Sequence, residues 1–143
     1  MWLINLSAKL SQFNWLPPLI TRFTLAVIFI ESGWGKLHRL GQVTEYFSSL
    51  GIPAAQIQAP LVSGLEFVCG ILILIGLATR FSSLPLIGIM AVANRTTQWE
   101  NLTKWSSIFG ISEFLYIVLL LWLVIDGAGQ LSMDFLIRHR KRS

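Results

Sequence analysis

Cysteine, histidine and charge are what this chain has least of. Its 143 residues include one cysteine, Cys69, and two histidines, His38 and His139. One cysteine excludes an internal disulfide, a CxxC redox pair and an iron–sulfur cluster held by this chain's thiolates; the simplest role for Cys69 is a small apolar residue in a helix. Both histidines fall outside the apolar runs, so this chain alone cannot hold a haem between two axial histidines inside them. No dinucleotide-binding glycine fingerprint occurs, and no spacing of ligand residues calls for a metal. Only 13% of residues are charged against 54% hydrophobic, well outside the usual composition of soluble domains. The formal net charge of +4 gathers in Arg138, His139, Arg140, Lys141 and Arg142. Such clustering suits a helix flank at a membrane, and no nucleic-acid partner is expected.

What the chain does have is long apolar runs, at residues 19–37, 60–78, 81–94 and 108–125. A membrane-crossing helix needs about 20 mostly apolar residues. The expected fold is therefore all-α, a single membrane domain over residues 1–143 built as an integral four-helix bundle. Trp2, Leu3, Leu6, Leu10 and Phe13 recur at helical spacing, which predicts an N-terminal interfacial helix ended by Pro17 and Pro18. In the first loop, Val43, Tyr46, Phe47 and Leu50 share one helical face before Gly51 and Pro53. That pattern predicts a short amphipathic helix over the bundle, or more sharply a lid over a cavity. Thr79-Arg80 reads as a tight turn, with Pro85 in the first turns of the third run.

Basic residues set the expected orientation. Lys9, Arg22, Arg80, Arg138, Arg140, Lys141 and Arg142 fall on the side of the termini, against Lys36, Arg39, Arg95 and Lys104 on the other. The positive-inside rule then places both termini in the cytoplasm, for an inner (plasma) membrane of a bacterium.

Charges inside the runs carry the functional reading. Ionisable side chains at membrane depth are costly and seldom face lipid. Glu31, Glu66 and Glu113 each fall five or six residues from the outer end of their run, which puts all three roughly 8 Å below that boundary. Asn94 and Arg95 come near the same level. Gly35, Gly70 and Gly110 lie one turn from the three glutamates, and small residues at that spacing let membrane helices approach closely. An intramembrane polar cluster of Glu66, Glu31, Glu113, Lys36, Asn94 and Arg95 is expected, with at least one carboxylate protonated or paired with Arg95 or Lys36. Lys36 and Glu66 are expected to meet, because an unpaired charge there would be costly. Arg22, near the inner end of its helix, reads equally as an anchor that snorkels to the interface.

The order of these motifs is similar to that of the DoxX family. The stretch RFTLAVIFIESGWGK resembles its first span through Arg22, Gly33 and Lys36. LGIPAAQIQAPLVSGLEFVCGILILIGLATR resembles its second block, through Glu66 and the turn Gly76, Leu77, Thr79 and Arg80. The tail Gly127-Ala128-Gly129-Gln130-Leu131-Ser132-Met133-Asp134 resembles its Gly-Pro-Gly-x-x-Ser-x-Asp ending, with Ala128 where proline is usual. The resemblance implies a four-helix membrane protein and makes Arg22 and Arg80 inner-side family positions. Glu31 does not belong to the pattern.

The resemblance also implies a small subunit or accessory of a membrane oxidoreductase system, most plainly one linked to quinone. Glu66 is then a hydrogen-bond acceptor or proton carrier beside a quinone head. The expected partners are the lipid bilayer and either redox-complex subunits or further copies of the chain. Two other readings use the same residues: a small-solute or proton permeation protein acting as an oligomer, and a membrane scaffold without chemistry of its own.

Overall fold

Pro17 and Pro18 open the first helix, where the amide that proline lacks has no helical acceptor in any case. The computed structural model describes residues 13–97 and 112–140. The interfacial helix expected from residue 2, the loop tryptophans Trp99 and Trp105, and Gly110 lie outside the described residues. Helix α1 runs Leu16–Leu37, α2 Leu40–Ser49, α3 Ala55–Ile75, α4 Thr79–Thr97, α5 Ser112–Asp126 and α6 Met133–Arg140. No strand occurs among the described residues.

Several boundaries differ from expectation, each for a local reason. Helix α3 starts before Pro60, which it absorbs within its early turns. It stops at Ile75 because Gly76 takes the left-handed conformation at φ 71°. Leu77 N–H then donates to Leu72 O at 2.9 Å and Gly76 N–H to Ile73 O at 3.1 Å, a Schellman closure. The turn is thus at Gly76, not at Thr79-Arg80, and both of those residues already belong to α4. Helix α4 also outruns its apolar stretch and carries Pro85 inside. The tail holds an unexpected helix, α6, capped by Ser132 Oγ accepting from Phe135 N–H at 3.2 Å.

The four long helices pack in a ring: α1 on α3, α3 on α4, α4 on α5, and α5 back on α1, with α2 laid over α3. Leu25, Ala26, Phe29, Cys69, Ile73, Leu86, Met90, Leu120 and Leu123 form the common core. The α1–α3 seam is the closest. A Cβ on Gly33 would stand 2.5 Å from Phe67 N, so only glycine fits there, and one on Gly70 would stand 3.0 Å from Ile30 N, a contact that forces the seam to shift. Gly35 meets nothing within 4 Å. Gly33 therefore has the seam role assigned to Gly35, because Gly35 faces open space.

Burial is inverted relative to a water-soluble bundle. Phe23, Ile57 and Phe81 are 62%, 68% and 77% exposed, whereas Arg22, Ser63, Glu66, Thr79 and Ser83 are buried. Among the described helices, α1 and α3 are long and apolar enough to cross a membrane. An apolar outside, with the polar side chains turned inward beside the apolar core, is what a hydrocarbon solvent demands of a helical bundle.

Candidate functional site

Ser32 and Lys36 are one turn apart on α1 and point at α3 from one face, opposite Glu66. The Glu66 side chain is fully buried, yet both its oxygens are bonded. Lys36 Nζ donates at 2.7 Å to Oε1 and to Oε2, and Ser32 Oγ donates at 3.0 Å to Oε2. The partners differ in exposure: the Lys36 side chain is 31% exposed and that of Glu66 0%. An ammonium has three donors. With Glu66 held on one side, the rest of the Lys36 head faces the space beside it.

That space is a cavity of about 760 Å³, within the usual range for small-molecule sites. Lys36, Glu66 and Gly35 lie on its α1–α3 wall, Pro85, Gly88 and Met90 on α4, and Val43, Tyr46 and Phe47 on α2. The apolar face anticipated for α2 therefore roofs the cavity. Gly35 and Gly88 both line it with no atom within 4 Å of where a Cβ would sit.

The other expected members of the cluster are placed unequally. Glu31 and Glu113 reach the cavity wall, Glu31 exposed and Glu113 half-buried with Ser112 Oγ 3.2 Å away. Asn94 and Arg95 do not line it: Asn94 is half-buried and Arg95 exposed. One helical turn changes direction by about 100° per residue, so a shared depth did not mean a shared face. Of the two partners expected for a carboxylate, Lys36 makes the contact. Ser32, Arg39, Gln42 and Gln58 also line the cavity and were not singled out. Ser32 was detectable from its one-turn spacing to Lys36; Arg39 and Gln42 come from the placement of α2, and Gln58 from the early turns of α3.

At the opposite end of the bundle it is the Arg22 side chain that is closed in. Arg22 is 3% exposed, so it is no snorkelling anchor. Its Nε donates to Ile73 O at 3.0 Å, Nη2 to Leu74 O at 2.7 Å, and Nη1 to Ala128 O at 2.9 Å and Leu131 O at 2.7 Å. Two acceptors are end-of-helix carbonyls of α3, which have no partner within the helix. Asp134 crosses from α6 to accept from Ala78 N–H at 2.8 Å and Thr79 N–H at 3.1 Å, capping α4 from a distant part of the chain. Arg80 Nη2 donates to Ile125 O at 2.9 Å.

The DoxX profile matches residues 18–99, more than half the chain. This protein belongs to the DoxX family. An uncharacterized protein of Haemophilus influenzae is 32% identical over 84% of this chain and 82% of its own length. The inner membrane protein YqjF of Escherichia coli is 28% identical, over 85% of this chain and 92% of its own. A Bacillus subtilis protein named "Putative oxidoreductase CatD" is 25% identical, over 86% and 89%. No solved structure matches.

In this DoxX chain the motif residues separate into the two ends just described. Arg22, Gly76, Thr79, Arg80, Ser132 and Asp134 meet at the Arg22 end, where a Cβ on Gly76 would stand 2.5 Å from Arg22 Nη2. Lys36 and Glu66 meet at the cavity, and Gly33 sits in the seam between α1 and α3 that joins the two ends.

Proposed function

We propose that this DoxX protein is an integral membrane protein of four spanning helices that binds a lipophilic quinone head in the Lys36–Glu66 cavity, as an accessory of a membrane oxidoreductase system. The observation that carries this reading is the half-held ammonium: Lys36 is fastened to a buried carboxylate and still opens onto a cavity whose wall is more apolar than polar. A quinone head needs a donor for a carbonyl oxygen and an acceptor for a hydroxyl, flanked by apolar wall, and these residues fit it. Quinone when bound supplies two-electron, two-proton redox chemistry. Lys36 would donate to the carbonyl oxygen and Glu66 would hold Lys36 in place. Phe47, Val43 and Met90 would exclude water from the ring. The ion pair makes Glu66 an orienting and accepting group first, because its charge is already balanced without a proton. The names of the relatives agree with the setting: one is an inner membrane protein, another carries oxidoreductase in its name.

Purification in mild detergent with lipid extraction is the direct test. Co-purified quinone, and binding of a short-chain benzoquinone analogue, support the reading. Gly88→Leu should abolish analogue binding while the protein folds normally, because its side chain enters space now empty. A homo-oligomer with solute-dependent flux and no quinone would favour permeation instead, and neither outcome would leave a scaffold. On this reading both termini lie in the cytoplasm, as the distribution of basic residues suggests. With Cys69 replaced, a cysteine at Gln58 should label from outside and one at Ser143 should not; the reverse pattern inverts the protein.

A further inference from the structure

We propose that the groove between the start of α1, the start of α4 and helix α6 binds the phosphate headgroup of an anionic phospholipid. The proposal rests on the bilayer placement above but not on the quinone reading. The groove measures about 550 Å³, and Arg80 and Arg138 both line it. Its two carboxylates are already engaged. Asp134 spends both oxygens on the Ala78 and Thr79 amides, and Asp126 accepts from Trp122 Nε1 at 3.4 Å. The cations are less committed. Arg80 uses only Nη2, on Ile125 O, and Arg138 has no side-chain partner among the described residues. A guanidinium presents five donors in a planar fork that matches phosphate oxygens. The formal charges balance, two arginines against two aspartates, but the aspartates face backbone amides and an indole, and the uncommitted donors of the groove are those of the arginines.

Apolar surface beside the cations decides between a lipid and a free phosphate. Phe81 and Trp15 line the same groove, Phe81 at 77% exposure. On α6, Leu136 and Ile137 lie next to Arg138 and are exposed as well. A short helix with bare apolar residues beside arginines is built to lie at the headgroup boundary. A soluble anion would use the arginines and leave Phe81, Leu136 and Ile137 in water; a phospholipid satisfies both at once.

The test uses the full-length protein in mild detergent, with phosphatidylglycerol and phosphatidylcholine of the same acyl chains compared for retention by native mass spectrometry. Salt of about 0.5 M confines diffuse attraction to roughly 5 Å, so that only direct contacts register. Phosphatidylglycerol should be retained on the order of tenfold over phosphatidylcholine. Arg138→Gln should remove most of that preference, while the charge-matched Arg140→Gln, off the groove, should keep it within about threefold. The Arg138 side chain makes no bond among the described residues, so its variant should melt with the wild type, and benzoquinone-analogue binding at the far end should be unchanged in both. Equal retention of the two lipids overturns the proposal. So does an Arg138→Gln protein that keeps the wild-type preference, or an Arg140→Gln protein that loses it equally. Displacement of the lipid by glycerol phosphate at matching concentration would identify a soluble-anion site and likewise overturn it.

Discussion

Arg22 and Lys36 stand about four turns apart on one face of α1, and each reaches across to α3. At the Arg22 end a guanidinium meets four neutral carbonyls from α3 and the loop before α6. The planar fork is used almost completely, the carbonyls lose their unmet demand, and Arg22 keeps no donor for a ligand. At the Lys36 end an ammonium meets one carboxylate and stays partly open to a cavity. The same helix thus carries a cation that closes structure and a cation that is available to a ligand. The difference is a matter of how many donors the protein itself consumes.

The sharpest way to break this contrast is at Arg22. Arg22→Met should leave the Leu74, Ala128 and Leu131 carbonyls without that donor, while Ile73 O keeps the Gly76 N–H, at about 1–3 kcal/mol for each carbonyl left unpaired before relaxation, and the protein should fail to accumulate in the membrane. Arg22→Lys should rescue little, because an ammonium cannot span the four carbonyls as a fork does. A lysine variant that melts with the wild type in detergent would show that charge alone is needed there.

Lys36→Met comes next. It strands a buried carboxylate and should cost about 3 kcal/mol in detergent unfolding. Combining it with Glu66→Gln should recover most of that loss, since the amide needs no counter-charge. Additive losses in the double variant would mean that the two residues act separately. Glu66→Gln alone should fold, with a loss near 1 kcal/mol, and should weaken quinone-analogue binding only if Lys36 positioning depends on the charge.

Gly33→Ala should destabilise by about 1–3 kcal/mol, since the new methyl would overlap the Phe67 backbone, whereas Gly35→Ala should be neutral or slightly stabilising. Equal behaviour of the two alanine variants would contradict the seam as described. A modest loss is expected at the remote cap, where Asp134→Asn should cost about 1 kcal/mol of thermal stability, because the amide keeps an acceptor and loses the charge at the start of α4.

These two ends were unequally legible. Lys36 and Glu66 could be paired from the sequence because both are isolated charges near the ends of two apolar runs joined by one loop, and few alternatives would neutralise them. Arg22 could not be assigned in that way. Its partners are backbone carbonyls, which every residue owns, so nothing in the side chains announces them. Asp134 was likewise visible only as part of a motif, since its capping bonds link residues more than fifty positions apart.

By itself, the sequence determined that the chain is helical and rich in apolar runs, that its glycines and prolines punctuate those runs, and that it has neither a histidine pair inside those runs nor the cysteines for an iron–sulfur cluster. Those properties follow from residue type and local spacing, which act over one or two helical turns. Only the tertiary structure decided which glycine forms the seam, which glutamate is buried, and which residues open onto the cavity. Those outcomes depend on the rotation of each helix about its axis, and rotation is settled by packing across the bundle, where a shift of one residue turns a side chain by about 100°.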